Sequence, residues 1–235
     1  MKKIILFLAL IAGVFSYGQK GKTYFGLQFK PIIPNKYVGQ FEQNYSFDSV
    51  PKYNGTIKQQ PGYVFGIAVR HGLSKSISFE TGINYTRRTY NISYASLDSG
   101  FVLNNNVSII NYDIPLNGLI YIQLSDAWFM NASAGINLSF YPTHVFTQAP
   151  LIDVNNQFYQ VGTRNGWIQT GVNANYGFEY RSKNSGIIYL GASYSQPFAP
   201  IMNFIMTWRN YNVRYKVYEK IDGSYLTLDL KYFIP

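Results

Sequence analysis

Cysteine is absent from the 235 residues, so nothing in this chain depends on a disulfide, even in an oxidising compartment. Charge is scarce as well. Asp, Glu, Lys and Arg together make up 13%, against about a quarter in ordinary globular chains. Histidine occurs twice, at His71 and His144. Without closely spaced His or Cys there is no metal-ligand pattern, and no glycine-rich phosphate loop stands between a strand and a helix. No metal or other cofactor is expected. The formal charge of +9 is scattered, not blocked, and no basic module motif accompanies it, which argues against a nucleic-acid partner. Long apolar runs are missing after Gly21, so the rest of the chain holds no helix of the roughly 20 residues that span a bilayer. Any further membrane contact must be made by strands.

What is plentiful is aromatic: Tyr 22 and Phe 17, 18% with tryptophan. Low charge with abundant tyrosine suits a wall exposed to lipid and framed by interfacial rings. The first residues, "MKKIILFLALIAGVFSYGQ", have a Lys2–Lys3 start, an apolar run from Ile4 to Val14, and small or polar residues before Gln19. That layout predicts a cleaved secretory signal peptide over 1–19, with a mature domain over 20–235.

The mature chain alternates with period two, and its connections alternate between short and long. Strands are expected over 22–30, 62–70, 76–94, 108–124, 128–141, 167–181, 187–195 and the closing "SYLTLDLKYFIP" (224–235). Pro115 is expected to interrupt its ladder with a bulge or local break. The stretches 31–60 and 142–165 read as long loops. On one face run residues such as Phe25, Leu27 and Phe29, or Ile136, Leu138 and Phe140. The other face carries Gly, Ser, Asn, Gln and Thr where a soluble sandwich would place Lys, Glu, Asp and Arg. Small and amide-bearing side chains suit a narrow, curved lumen. The fold class expected is therefore all-β: a transmembrane antiparallel up-and-down β-barrel of about eight strands. An even strand number puts both mature termini and the turns near Gly72, Ser125 and Asn184 on the periplasmic side. Arg87, in phase with lipid-facing Tyr85, must then sit above the membrane.

"FETGINY" (79–85), "YDIPLNGLIYI" (112–122) and "LTLDLKY" (226–232) resemble the small OmpA/OmpX-like outer-membrane barrels, especially the PorT-like barrel domains, over essentially the whole mature chain. The resemblance implies an outer-membrane location and contact with outer-membrane lipid, lipopolysaccharide and the barrel-assembly machinery. Outward Leu228, Leu230 and Tyr232 resemble the terminal assembly signal, although family members stop at the aromatic and this chain continues to Pro235. Such motifs mark strand positions and not a chemical site.

Three constellations stand out. Arg70, Glu80, Glu179, Asp229 and Lys231 fall on the inner face in the periplasmic half of the barrel, where opposite charges can pair across a narrow interior. They read as a structural plug or, more sharply, as a gated path for water and small ions. The segment 202–223 mixes Trp208 with Arg209, Arg214 and Lys216, residues suited to lipopolysaccharide phosphates and sugars, yet "VRYKVYEK" also alternates as an extension of a barrel hairpin. For catalysis, His144 would need Ser139 or Asp153, and no motif brings them together. The expected role is structural or interaction-based and not enzymatic, and the PorT-like resemblance implies as its most concrete form an accessory subunit of a protein-secretion machine. The alternatives are a small gated pore, an outer-leaflet lipid hydrolase and a soluble secreted β-domain.

Overall fold

The computed structural model describes residues 21–37, 39, 41–47, 53–74, 76–96, 102–149, 156–182, 184–210 and 213–235. The expected signal peptide over 1–19 lies outside them. Among the described residues thirteen strands follow one another: β1 (Thr23–Ile33), β2 (Glu42–Ser46), β3 (Tyr53–Gly72), β4 (Ile77–Ser96), β5 (Val102–Gln123), β6 (Trp128–Phe140), β7 (Val145–Gln148), β8 (Asn156–Arg164), β9 (Ile168–Ser182), β10 (Gly186–Pro197), β11 (Met202–Asn210), β12 (Val213–Ile221) and β13 (Tyr225–Phe233). Eight of them close a ring in the order β1-β13-β10-β9-β6-β5-β4-β3, with β1 pairing back onto β3. Every pairing is antiparallel, and the closing ladder runs from Thr23↔His71 to Ile32↔Gly62. These eight are the eight expected from the sequence. A closed ring leaves no unpaired strand edge, the condition for crossing hydrocarbon with strands.

The alternation resolves as an inverted barrel. Leu228, Leu230 and Tyr232 point outward and are half exposed, whereas Thr227, Asp229 and Lys231 on the same strand are buried inside. Ile136 and Val172 likewise face out, while Asn131, Asn137 and Asn175 face in. An apolar belt of this extent, running around the whole ring, is a lipid surface and not a water-facing one. Aromatic rings frame it at both ends. Toward the long connections, Phe29, Tyr63, Tyr85 and Tyr112 follow one another across β1, β3, β4 and β5 with centroids 5.9–6.4 Å apart. Near the short turns, Trp128 meets Tyr180 at 5.2 Å. Arg87 lies just past the first girdle and donates to Ser108 Oγ from Nε and Nη2 at 3.2 and 3.1 Å.

Above the girdle the structure departs from two long loops. Residues 142–165 supply β7 and β8, and 31–60 supply the end of β1, all of β2 and the start of β3. Nor does 202–223 extend the barrel wall. It folds as the hairpin β11–β12, which joins β8 and β7 in a second, four-stranded sheet ordered β12-β11-β8-β7. That sheet faces the upper halves of β3, β4 and β5 together with β2, and between them lies an apolar core of Tyr45, Ile57, Ile92, Tyr94, Phe158, Phe204, Met206 and Trp208. We call this storey the cap.

A bulge between Gln60 and Tyr63 makes the two storeys compatible. Below it the even residues of β3, such as Val64, Ala68 and Arg70, point inward; above it the odd residues Gly55, Ile57 and Gln59 do. One extra residue turns every later side chain to the opposite face. The bulge carries Pro61 and Gly62, which the ladder tolerates only where pairing is broken. At Pro115, by contrast, the β4–β5 ladder skips from Thr81↔Leu116 to Asn84↔Asp113 and resumes in the same register. The expected break is therefore present there, without a bulge.

Candidate functional site

The lumen changes chemistry along its length, and its lowest layer is ionic. Arg70 and Glu80 are register partners on β3 and β4. Arg70 donates to Glu80 Oε2 from Nε at 2.9 Å and Nη2 at 2.7 Å, and to Glu179 Oε2 from Nη1 at 2.5 Å. Lys231 Nζ reaches the other oxygen of Glu80 at 2.5 Å. Four of the five charges expected to gather, Arg70, Glu80, Glu179 and Lys231, thus meet in one network joining β3, β4, β9 and β13. Asp229 sits beside them but takes another partner, Lys30 of β1, at 3.0 Å. Ser193 and Thr227 donate to the same Asp229 carboxylate. With these partners the buried carboxylates are satisfied, as their desolvation demands.

Two cations of this layer stand outside the expected set. Arg181 donates from Nε to Glu179 Oε1 at 2.6 Å, and Lys30 holds Asp229. Both lie in phase with inner residues, so the alternation places them inside. What it does not supply is the partner, because Lys30 and Asp229 meet only when β13 closes against β1. Aromatic faces complete the layer. The Arg70 guanidinium lies 4.0 Å from the Phe233 ring centroid, a cation–π contact. Phe233, the residue just after the outward terminal aromatic, is thereby an inner packing element. Tyr189 is fully buried and lies across the paired glycines Gly177 and Gly191. A Cβ on Gly191 would stand 2.0 Å from the Tyr189 hydroxyl, so only glycine leaves room for the ring.

A second polar layer lies higher. Arg88 donates to Asn111 Oδ1 at 2.6 Å and to Tyr141 Oη at 3.2 Å, with its guanidinium 4.6 Å from the Tyr225 ring. Asp113 accepts from Thr86 at 2.6 Å, from Asn111 at 2.7 Å and from Ser139. Between the layers remains a cavity of only about 30 Å³, walled by amides including Asn84, Asn117 and Asn137. Above Arg88 the lumen meets the apolar core of the cap. At the other end a wider cavity of about 330 Å³ opens toward the short turns and stops at Arg70.

The remaining expected site residues divide. Trp208 is buried in the cap core, its ring 3.9 Å from Tyr53 and stacked 5.0 Å from Tyr215. It is therefore removed from the surface set expected to touch lipopolysaccharide. Arg214 and Lys216 are exposed on β12, and Arg209 is half-buried opposite Arg214. His144 and Ser139 are not brought together. Ser139 donates to Asp113 inside the lumen, whereas His144 Nδ1 accepts from the Arg164 amide at 3.4 Å, outside it. Asp153 lies outside the described residues. His71 Nδ1 meets Thr23 Oγ1 at 2.8 Å near the turns. Among the described residues no group of three or more His, Cys, Asp or Glu could hold a metal ion.

No family model matches this chain, and no curated protein sequence does. Among solved structures it is similar to the outer membrane protein OprG from Pseudomonas aeruginosa, with a TM-score of 0.50 and 10% identity over 92% of this chain and 98% of that one. At that identity the likeness concerns the fold alone. The fold is that of a small outer-membrane β-barrel.

Proposed function

We propose that this chain is an outer-membrane protein with a structural or interaction role, closed to solutes, whose cap is the part offered to partners outside the membrane. One observation carries the reading: the outer mouth of the barrel runs into a packed apolar core, while the lumen below it is crossed by two paired polar layers. Hydrophobic packing and buried ion pairs together leave no continuous water path, because each would have to be dismantled to admit one. A pore would instead be expected to keep a polar wall from end to end.

Planar-bilayer recording of the wild type and of Glu80→Ala tests this. Neither protein is expected to give stable openings; ohmic conductance of the wild type would overturn the closed reading. Envelope fractionation with boiled and unboiled electrophoresis tests the location. A heat-modifiable band in the outer-membrane fraction is expected, and recovery in a soluble extracellular fraction would refute it.

The basic strand β12 gives the interaction a direction. Arg214, Lys216 and Lys220 are exposed along it, suited to the phosphates of lipopolysaccharide or the acidic surface of an envelope protein. The accessory role in protein secretion implied by the PorT-like resemblance is the most specific form of this reading, and copurification from detergent extracts tests it. Assembly through the barrel-assembly machinery is proposed on the outward Leu228, Leu230 and Tyr232.

A further inference from the structure

The ionic layer is not electrically balanced. Glu80 is shared by Arg70 and Lys231, and Glu179 by Arg70 and Arg181. Asp229 is engaged by Lys30. Three cations thus rest on two carboxylates; two of them, Arg70 and Arg181, line the turn-side cavity, and Lys22 lines its wall without a side-chain partner among the described residues. Excess positive charge beside low-dielectric walls attracts an anion, since field lines concentrate there instead of spreading through water.

The cavity is also built for one. Arg181 is held in place: its Nε is tied to Glu179, its guanidinium lies 3.9 Å from the Phe129 ring and 4.7 Å from the Tyr121 ring, and its backbone N–H donates to Ala127 O at 2.8 Å. Its two Nη groups donate to no acceptor among the described residues, and the side chain is 32% exposed toward this cavity. A fixed guanidinium with a free fork matches the paired oxygens of a carboxylate or phosphate. Ser78 and the ring of Tyr121 complete the wall. At about 330 Å³ the space suits a small solute and not a polymer.

We propose that the turn-side mouth of the lumen is a binding site for a small oxyanion, a carboxylate or phosphate carried by a solute of that compartment. Arg181 grips it by the fork, and Lys22 supplies a second charge at the entrance. This site is independent of what the cap binds and does not require the barrel to conduct.

The test is calorimetric titration of inorganic phosphate, and separately of succinate, into the full chain folded in detergent micelles at constant ionic strength. One saturable site is expected for at least one of the anions, and which one binds separates a phosphate source from a carboxylate source. Arg181→Gln should weaken binding by about tenfold or more, the worth of a charge-assisted pair. Lys22→Gln should weaken it by about threefold, as for a rim charge. Heat-modifiable migration reports whether each variant folds, and Lys22→Gln breaks no contact in the barrel. Absence of saturable binding for both anions, or wild-type affinity in the folded variants, would overturn the proposal.

Discussion

Arg70 and Glu80 stand opposite each other on neighbouring strands and share two hydrogen bonds on one carboxylate oxygen, 2.9 Å from Nε and 2.7 Å from Nη2. The other Glu80 oxygen belongs to Lys231, so this pair links both sides of the ring closure at β1.

Removing one member should therefore cost more than removing both. Glu80→Gln leaves Arg70, Lys231 and Arg181 with the single carboxylate of Glu179 in a buried layer and is expected to destabilise the barrel by about 3–5 kcal/mol. Combining it with Arg70→Met, which removes one of the uncompensated cations, should recover part of that loss, a non-additivity typical of residues in one network. Urea unfolding followed by heat-modifiable electrophoresis measures both; strict additivity would contradict the network.

The orientation of the wall is testable because the chain has no native cysteine. Single cysteines at Leu138 and Val172 should react with a label dissolved in the lipid tails. Cysteines at Asn137 and Asn173, which hydrogen-bond to each other at 2.8 Å inside, should be spared. The reverse pattern would mean a barrel turned inside out.

The cap should be separable from the ring below it. Trp208→Ala removes the ring stacked on Phe158 and Tyr215, a change worth about 3–5 kcal/mol in a packed core. Because the ring strands pair independently of β11, heat-modifiable migration should persist while β7, β8, β11 and β12 become protease-sensitive. Simultaneous loss of both would show that the two storeys fold as one.

Glu219 gives the cap a pH dependence. It accepts from Gln43, bridging the edges of the two cap sheets at β12 and β2, and desolvation raises its pKa above the ordinary carboxylate value. A raised carboxylate pKa means that the folded cap holds its proton more tightly than the unfolded chain does. Cap stability is then highest at low pH and falls as pH rises from the ordinary carboxylate pKa through the elevated one. Hydrogen exchange at β2 and β12 should speed up across that interval, and Glu219→Gln should flatten the profile. An unchanged profile in that variant would assign the effect to another group.

Much of the barrel is legible in the amino-acid pattern. Leu228 against Asp229, or Leu138 against Asn137, reads directly as out against in. The inward phase of Arg70, Glu80, Glu179 and Lys231 follows from the same alternation. Arg181 and Lys30 are within its reach too, since each continues the inner phase of its strand. The cap is not legible. β7 and β8 look like loop, being short and broken, and Trp208 looks exposed because its neighbours Arg209 and Asn210 are polar. Its burial depends on Phe158 and Tyr53, far away in the chain, arriving on the same side.

By itself the sequence determined the wall: eight alternating strands, greasy on one face and amide-lined on the other, because period-two alternation is a local property of an extended chain. The tertiary structure alone decided that Glu80 takes Lys231, that Asp229 takes Lys30, and that an apolar lid closes the mouth. Those outcomes depend on which distant strand edges meet when the ring shuts and the second sheet folds over it. No local pattern encodes that meeting, because several partners of suitable charge or size share the same inner face and only closure brings one of them within reach.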